Sequence, residues 1–324
     1  MRYTMKKTIV LLLILAWPLC AQEFGQVGTA GAQFLKVNFD PRASALGYAA
    51  ASVVSGAAAV YTNVAGIENI NSLDVAFGYA PWFADIKMMS FAGALRLKDV
   101  GVIGVQASGF STEEEVTTIE MENGTGEMYS IKNLCFGLSF ARHITDRLII
   151  GVQGKLINES YYNHSTTGVA ADLGTMYDFG FSGSSLALSL QNFGPDLSPL
   201  SGNYADYSEG DSVKSFNGAP LPVTFRASFS IDAVSSDNLH IKLIADLVHP
   251  NDNIEHYNLG TEIKMMGFLA IRGGLKFHYD DESFALGVGF DGSRLGSSNL
   301  RLDYSFEKFK ILPSIQKISI GFAL

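Results

Sequence analysis

Imidazoles bind metals and move protons near neutral pH, so His240, His249, His256 and His278 are the first residues to test for chemistry. They are scattered along the chain, with no HxxxH spacing and no cysteine partner. Zinc sites usually rest on such short ligand spacings, so no metal and no cofactor is expected. No serine sits in a nucleophile-elbow context. A surface phospholipase would need a Ser and a His together on a lipid-facing wall, and alternation places no such pair there. The chain reads as non-enzymatic. Glu113, Glu114, Glu115, Glu120, Glu122 and Glu127 crowd one stretch that lacks any basic residue. Ca²⁺ or a basic partner segment would suit it, but a solvated acidic loop accounts for the same composition and carries more weight.

A second group of charges has a regular spacing. Arg96, Lys155, Arg226, Lys242, Arg272, Lys276 and Arg301 fall on the same alternating series as Asp172, Asp232, Asp246, Glu262 and Asp303. The opposite series is apolar. In Ser283–Gly292 (SFALGVGFDG), Phe284, Leu286, Val288 and Phe290 make one face, and small or polar residues make the other. Side chains on a strand alternate between faces. A soluble sandwich buries the apolar face, whereas a transmembrane barrel turns it to lipid and keeps a polar interior.

The pattern recurs in fourteen candidate strands beginning near Leu73, Met88, Val100, Met128, Arg147, Thr166, Ser185, Pro222, Leu239, Glu255, Gly267, Ser283, Asn299 and Lys317. Segments of roughly nine to twelve residues match tilted membrane strands. The third, around Val100–Phe110, is ambiguous because apolar residues fall on both faces. Barrels of this kind have short periplasmic turns and longer outer loops. The even-numbered gaps, such as Lys98–Asp99 and Met265–Met266, are short, while Ser111–Glu127, Asn158–Ser165 and Asn192–Leu221 among the odd-numbered gaps are long. This parity favours an all-β, antiparallel transmembrane barrel over residues 73–324. Its lumen charges would include Arg96, Asp172, Arg226, Asp246, Glu262, Arg272, Arg301 and Asp303. Tyr79, Trp82, Phe83, Tyr177, Tyr257, Tyr279 and Tyr304 suit aromatic girdles.

Composition agrees. Of 324 residues, 47% are hydrophobic and 17% charged, and the net charge of −9 disfavours nucleic acid as a partner. Beyond the N-terminus no apolar run reaches the roughly 20 residues of a membrane helix, so a membrane protein of this composition must be a barrel. Residues 1–21 read as an export signal, with Arg2, Lys6 and Lys7 before an apolar stretch from Thr8 to Leu15 and the small Ala21 at its end. Removal of that signal leaves Cys135 alone, which excludes an intramolecular disulfide. Residues 22–72 are rich in Ala and Gly and lack two-residue alternation. They are expected to form a partly helical segment that plugs the barrel or lies against its periplasmic mouth.

Three motifs in that segment resemble the N-terminal signature of the PorV/PorQ-like outer-membrane proteins. They are Gly28–Phe34, Arg42–Gly47 (RASALG) and Tyr61–Gly66 (YTNVAG). The family pattern is a GTxxAQFL opening, an R-A-x-A-L-G turn and an N-P-A-G box. Ala170–Tyr177, Ala245–Asp252, Leu259–Glu262 and Leu269–Gly274 resemble its strand motifs. The resemblance implies a FadL-like barrel of fourteen strands with an N-terminal plug built on Gln33, Phe34, Arg42, Leu46, Gly47, Asn63 and Gly66. Two departures stand out: the box reads Asn63-Val64-Ala65-Gly66 without proline, and Ser55–Gly56 replaces an expected acidic residue.

Two functions follow. By the resemblance, the chain is an outer-membrane accessory of protein export associated with type IX secretion, presenting its outer loops to exported proteins or secretion components. The alternative is a FadL-like transporter of hydrophobic small molecules. Outer-membrane lipid is a partner in either case, and the bacterial outer membrane is the expected location.

Overall fold

The computed structural model describes residues 27–115, 120, 125–162, 164–198, 218–292 and 299–324. The expected export signal, Glu122 and the middle of the 192–221 connection lie outside the described residues.

Fourteen strands close into a single antiparallel barrel in which each strand pairs with its sequence neighbours and the first pairs with the last. In order they are β1 (Leu73–Pro81), β2 (Lys87–Leu97), β3 (Gly101–Glu115), β4 (Met128–Thr145), β5 (Leu148–Tyr161), β6 (His164–Asp178), β7 (Ser185–Phe193), β8 (Thr224–Ser235), β9 (Leu239–Pro250), β10 (His256–Met265), β11 (Leu269–Phe277), β12 (Glu282–Asp291), β13 (Leu300–Phe309) and β14 (Ile315–Ala323). Each begins within two residues of the position read from alternation. Closure leaves no open edge through the membrane region, which a bilayer requires because it offers backbone groups no water.

The facing of side chains answers the question of lipid or core. Leu286 and Val288 are about half exposed, at 53% and 49%, whereas Ala285, on the inward series of the same strand, is fully buried. Phe77, Phe136, Leu138, Leu156, Val169, Leu173 and Ile320 are likewise exposed on the outside. Such a band of large apolar side chains would be an aggregation surface in water and is the normal exterior of a barrel in lipid. The protein is an outer-membrane barrel.

Two expectations about connections are corrected. Asn158–Ser165 is not a long loop: β5 and β6 continue through it and leave only residues 162–163 between them. Likewise Glu113, Glu114 and Glu115 are not in a loop but extend β3, opposite Ser130, Tyr129 and Met128 of β4. Strands β3 to β6 have 15, 18, 14 and 15 residues, so they stand as a wall above the outer rim. On the β2 side the pairing stops at Ser111, so the glutamates run along an unpaired edge. Charge on such an edge hinders pairing with another strand. Glu120 and Glu127 are exposed in the connection above it.

Residues 30–71 occupy the lumen. A short helix, α1 (Pro41–Ala45), and 3₁₀ turns at Gln33–Lys36, Ala57–Tyr61 and Val64–Glu68 carry the chain through it. Asp40 caps α1 by accepting from the amides of Arg42 at 3.0 Å and Ala43 at 3.3 Å, and Pro41 fills the first helical position, where no amide is needed. Ala43, Ala49, Ala50, Ala57 and Ala59 let this backbone approach the wall, where Ala92, Ala94, Val102, Ala141 and Ile244 meet it. That contact also accounts for the ambiguous third strand, whose inward Val102 faces an apolar plug instead of water.

Candidate functional site

The plug contacts every strand of the barrel, which is possible only from inside it. Ala57 donates its amide to Asp74 of β1 at 2.9 Å, and Tyr61 donates its hydroxyl to the Phe91 carbonyl of β2 at 2.7 Å. Glu68 faces His143 of β4 at 3.1 Å, and Asn63 donates to the Thr175 carbonyl of β6 at 3.1 Å. Gln191 of β7 donates to the Tyr61 carbonyl at 3.3 Å, and Lys317 of β14 to the Asn38 carbonyl at 2.8 Å. On β3, β5, β11 and β12 the plug comes so close that glycine is the residue present. A Cβ at Gly151 would lie 2.6 Å from the Ala65 nitrogen, and one at Gly104 3.2 Å from the Ile67 side chain. Gly274 abuts Gly47, and Gly287 abuts Ala45.

Charged side chains of the wall face the plug on β8, β9, β10 and β13 and are held partly by it and partly by one another. Arg42 grips Glu262 with two hydrogen bonds of 3.0 and 3.1 Å, and Arg272 donates to the same carboxylate at 2.7 Å. Arg272 continues to Asp303 at 2.5 Å, and Arg301 pairs with Asp74 at 2.7 Å. Asp246 accepts from the amides of Ala50 and Ala51 at 3.2 and 3.4 Å, while Arg226 holds the Tyr48 carbonyl at 2.7 Å. Lys317 and Lys276 share Glu307 at 2.6 and 3.1 Å. Buried charges are tolerated where each has several partners, and loss of one partner is strongly destabilising. Asp40 lies among these groups; burial, then the nearby Asp303 charge, raises its carboxyl above the usual range.

Each plug residue expected from the motifs has a role in this packing. Gln33 donates to Asp252 at 2.7 Å, and Phe34 meets Phe110 edge-on at 6.5 Å. Leu46 is fully buried, and Gly47 has φ +64°, a left-handed conformation that suits glycine. Asn63 caps the turn of the proline-free box by accepting from the Ala65 amide at 3.1 Å and donates to the Ala51 carbonyl at 3.0 Å. Gly66 lies under the Val54 carbonyl, 2.6 Å from where its Cβ would be. Gly56 of the Ser55–Gly56 departure presses against the Arg301–Asp74 pair.

The expected lumen charges all face inward, in separate clusters. Arg96 pairs with Glu68 at 3.0 Å near the end of β2. Lys155 and Asp172 pair at 2.6 Å away from the plug motifs, and Lys155 also donates to Asn192 at 2.9 Å. The histidines do not converge: His240 pairs with Asp232, His249 with Glu255, and His256 stacks on Tyr279 with ring centres 4.0 Å apart. Among the described residues no group of three or more metal-ligating side chains forms.

The plug divides the lumen into unlike ends. Toward the short turns, which barrels of this kind place in the periplasm, two cavities of about 150 and 410 Å³ are lined by charges that include Arg42, Lys264 and either Asp303 or Glu262. Toward the outer connections lies a chamber of about 290 Å³. Leu35, Val37, Tyr48, Tyr61, Val248, Pro250, Tyr279, Phe309 and Leu312 give it aromatic and aliphatic walls, with Asn38, Asn192, Thr224 and Arg226 among its polar groups. Two girdle assignments change accordingly. Tyr279 lines this chamber, while Trp82 and Phe83 fold inward against Phe110 and Phe309, with ring centres 5.2 Å apart in both contacts. Tyr79, Tyr177, Tyr257 and Tyr304 remain exposed on the outside.

Sequence reasoning missed the chamber because its wall is assembled from residues as distant as Leu35 and Leu312. It also missed Glu307 and Lys317, although both stand on the inward series of their strands. The inward glycines on β5, β6, β11 and β12 were the available signal for where a second backbone approaches.

No family model matches the chain, and no curated protein matches its sequence. Solved structures do match in fold. The toluene transporter TbuX of Ralstonia pickettii aligns with a TM-score of 0.58 at 13% identity, over 89% of this chain and 98% of that one. The monoaromatic hydrocarbon channel CymD gives 0.57 at 12%, over 89% and 98%. The Pseudomonas putida toluene transporter TodX gives 0.55 at 12%, over 86% and 98%. At such identity the likeness is one of fold: a fourteen-stranded outer-membrane barrel of the kind seen in TbuX, CymD and TodX. The narrower resemblance to PorV/PorQ-like proteins rests on the sequence motifs alone.

Proposed function

We propose that this protein admits small hydrophobic molecules from outside the cell into the outer chamber, where the plug holds them short of the periplasm. The chamber carries the reading. It is concave, mostly apolar, on the outer side of the plug and close to the lower end of the size range of ligand sites. TbuX, CymD and TodX are described as transporters or channels of toluene or monoaromatic hydrocarbons, and their fold is the one seen here. The barrel supplies a rigid frame, and its role is passage rather than chemistry.

The test is uptake of radiolabelled toluene by cells that express the protein, compared with cells expressing Val248→Trp. That substitution places a large ring in the chamber, beside Arg226 and His256 on the neighbouring strands, and leaves the Arg42–Glu262 anchor at the other end of the plug unchanged. The native protein is expected to raise uptake and the variant to abolish the increase. Equal uptake by both would overturn the reading.

A second reading keeps the protein in export, as an accessory of type IX secretion that holds exported cargo on its outer side. The β3–β6 wall favours it, since long strands above the rim offer a surface to a partner. Affinity purification from native membranes distinguishes the two: stoichiometric recovery of secretion components would favour the accessory, and their absence together with chamber-dependent uptake would favour transport.

A further inference from the structure

The floor of the outer chamber has a feature that a hydrocarbon does not use. Arg226, Val248 and His256 form one inward row across β8, β9 and β10, and all three line the chamber. The next row down contains Ser228, Asp246 and Asn258. Asn258 is completely buried, yet neither its Nδ2 nor its Oδ1 has a hydrogen-bond partner among the described residues. Arg226 Nε is in the same state, although its Nη1 holds the Tyr48 carbonyl and faces Asp246 at 3.4 Å. The Tyr279 phenol, on the chamber wall, is near enough to feel both the Arg226 charge and the Asn258 amide. Buried polar atoms without partners are costly, so donors and an acceptor beneath a ligand-sized chamber point to a polar group that completes them.

The charges around the chamber determine what kind of polar group fits. Lys36 is already paired with Asp252 at 2.9 Å, and Arg226 is matched by Asp246. Asp280, Asp281 and Glu282 also line the chamber. An anionic head would therefore find its cations neutralised and the carboxylates of Asp280 and Asp281 nearby, with Glu282 already paired to Lys276. A hydroxyl carries no charge, accepts one hydrogen bond and donates another. Its oxygen suits Arg226 Nε–H, its proton suits Asn258 Oδ1, and the apolar body meets Leu35, Val37 and Phe309.

We propose that the outer chamber selects an uncharged amphipathic molecule with one hydroxyl on a single-ring or similarly small apolar body, an aromatic alcohol or phenol, over the matching hydrocarbon or carboxylate. This deepens the transport reading and rests on it.

The test uses the full chain in lipid nanodiscs, with protein-free discs as the partition control. Calorimetry compares three probes of similar shape: 2-phenylethanol, ethylbenzene and phenylacetate. The alcohol is expected to bind on the order of tenfold more tightly than either of the others, as expected when a buried polar site loses its partner. Asn258→Leu should erase that preference while leaving thermal stability unchanged or higher, because an apolar isostere relieves the unpartnered amide. The leucine variant also guards against a fault in folding, since a misfolded barrel would lose its stability and its binding of ethylbenzene together. Equal binding of alcohol and hydrocarbon by the native protein would overturn this inference while leaving the transport reading intact. A preference that survives Asn258→Leu would overturn it too, because the amide would then be completed by structural water alone. Absence of binding by all three probes would overturn the chamber's role as a whole.

Discussion

The two ends of the lumen are built from the same strands and differ in what the plug presents to them. At the periplasmic end the plug offers Arg42, Asp40 and Glu68, and the wall answers with Glu262, Arg272, Asp303 and Arg96. At the outer end it offers Leu35, Val37, Tyr48 and Tyr61, and the wall answers with Val248, Pro250 and Phe309. One end is therefore a charged anchor and the other a small amphipathic chamber. The difference shows how one barrel can be held shut at one mouth and remain receptive at the other. Ion pairs with several partners fix the plug at a definite depth, whereas apolar walls accept a range of molecules of suitable size.

The comparison breaks first where the anchor is removed. Glu262→Ala leaves Arg42, Arg272 and Lys264 without their shared carboxylate. A loss of about 3–5 kcal/mol of plug or barrel stability is expected, read as a lower denaturant midpoint in micelles and as protease cleavage within residues 41–68. Ligand binding at the outer end should suffer only as far as the plug moves. A stable, protected plug in this variant would mean that apolar packing alone sets its position.

Next in size is the close approach of two backbones. Gly274→Leu puts a side chain where the Gly47 backbone lies, so the plug must shift or leave. A disulfide between Ser52→Cys and Ser228→Cys, whose hydroxyls stand 2.8 Å apart across the plug and wall in the native protein, should form readily without the leucine and fail with it. Single-channel conductance should rise in the same variant. Efficient crosslinking in its presence would show that the wall yields instead.

The smallest expected effect concerns Asp40. Its carboxyl is raised above the unfolded value of 3.8 by burial and by Asp303. The ionised form is therefore disfavoured in the folded state, and that penalty applies at neutral pH and fades as pH falls through the folded value. Asparagine caps a helix about as well as aspartate. Asp40→Asn should thus be neutral or stabilising by a fraction of about 1 kcal/mol at pH 7, with the advantage gone below pH 3.8, where aspartate is protonated in both states. Denaturant midpoints at the two pH values measure it.

How much of this was legible in the sequence follows from the range of each signal. Alternation is local, and it located the strands and the inward charges from Arg96 to Asp303. The motifs Arg42–Gly47 and Tyr61–Gly66 marked the plug. The sequence did not reveal that Arg42 would choose Glu262, 220 residues away, because register around a closed barrel is a property of the whole ring. Loop length failed at Asn158–Ser165 for a related reason: polar residues in strands that rise beyond the membrane look like a loop. Tyr279 looked like a girdle residue because an aromatic at a strand end gives no sign of which way it turns. The chamber needs all of these assignments at once, so it became visible only with the fold.

Crystals of the full chain exposed to bromobenzene would test the central claim most directly, since anomalous scattering locates the bromine without ambiguity. The account predicts one peak on the outer side of the plug, among Leu35, Val37, Tyr279 and Phe309, and its loss in Val248→Trp. Bromine confined to the charged cavities beside Arg42 and Lys264, or absent from the lumen while the outer chamber stands unobstructed, would contradict it.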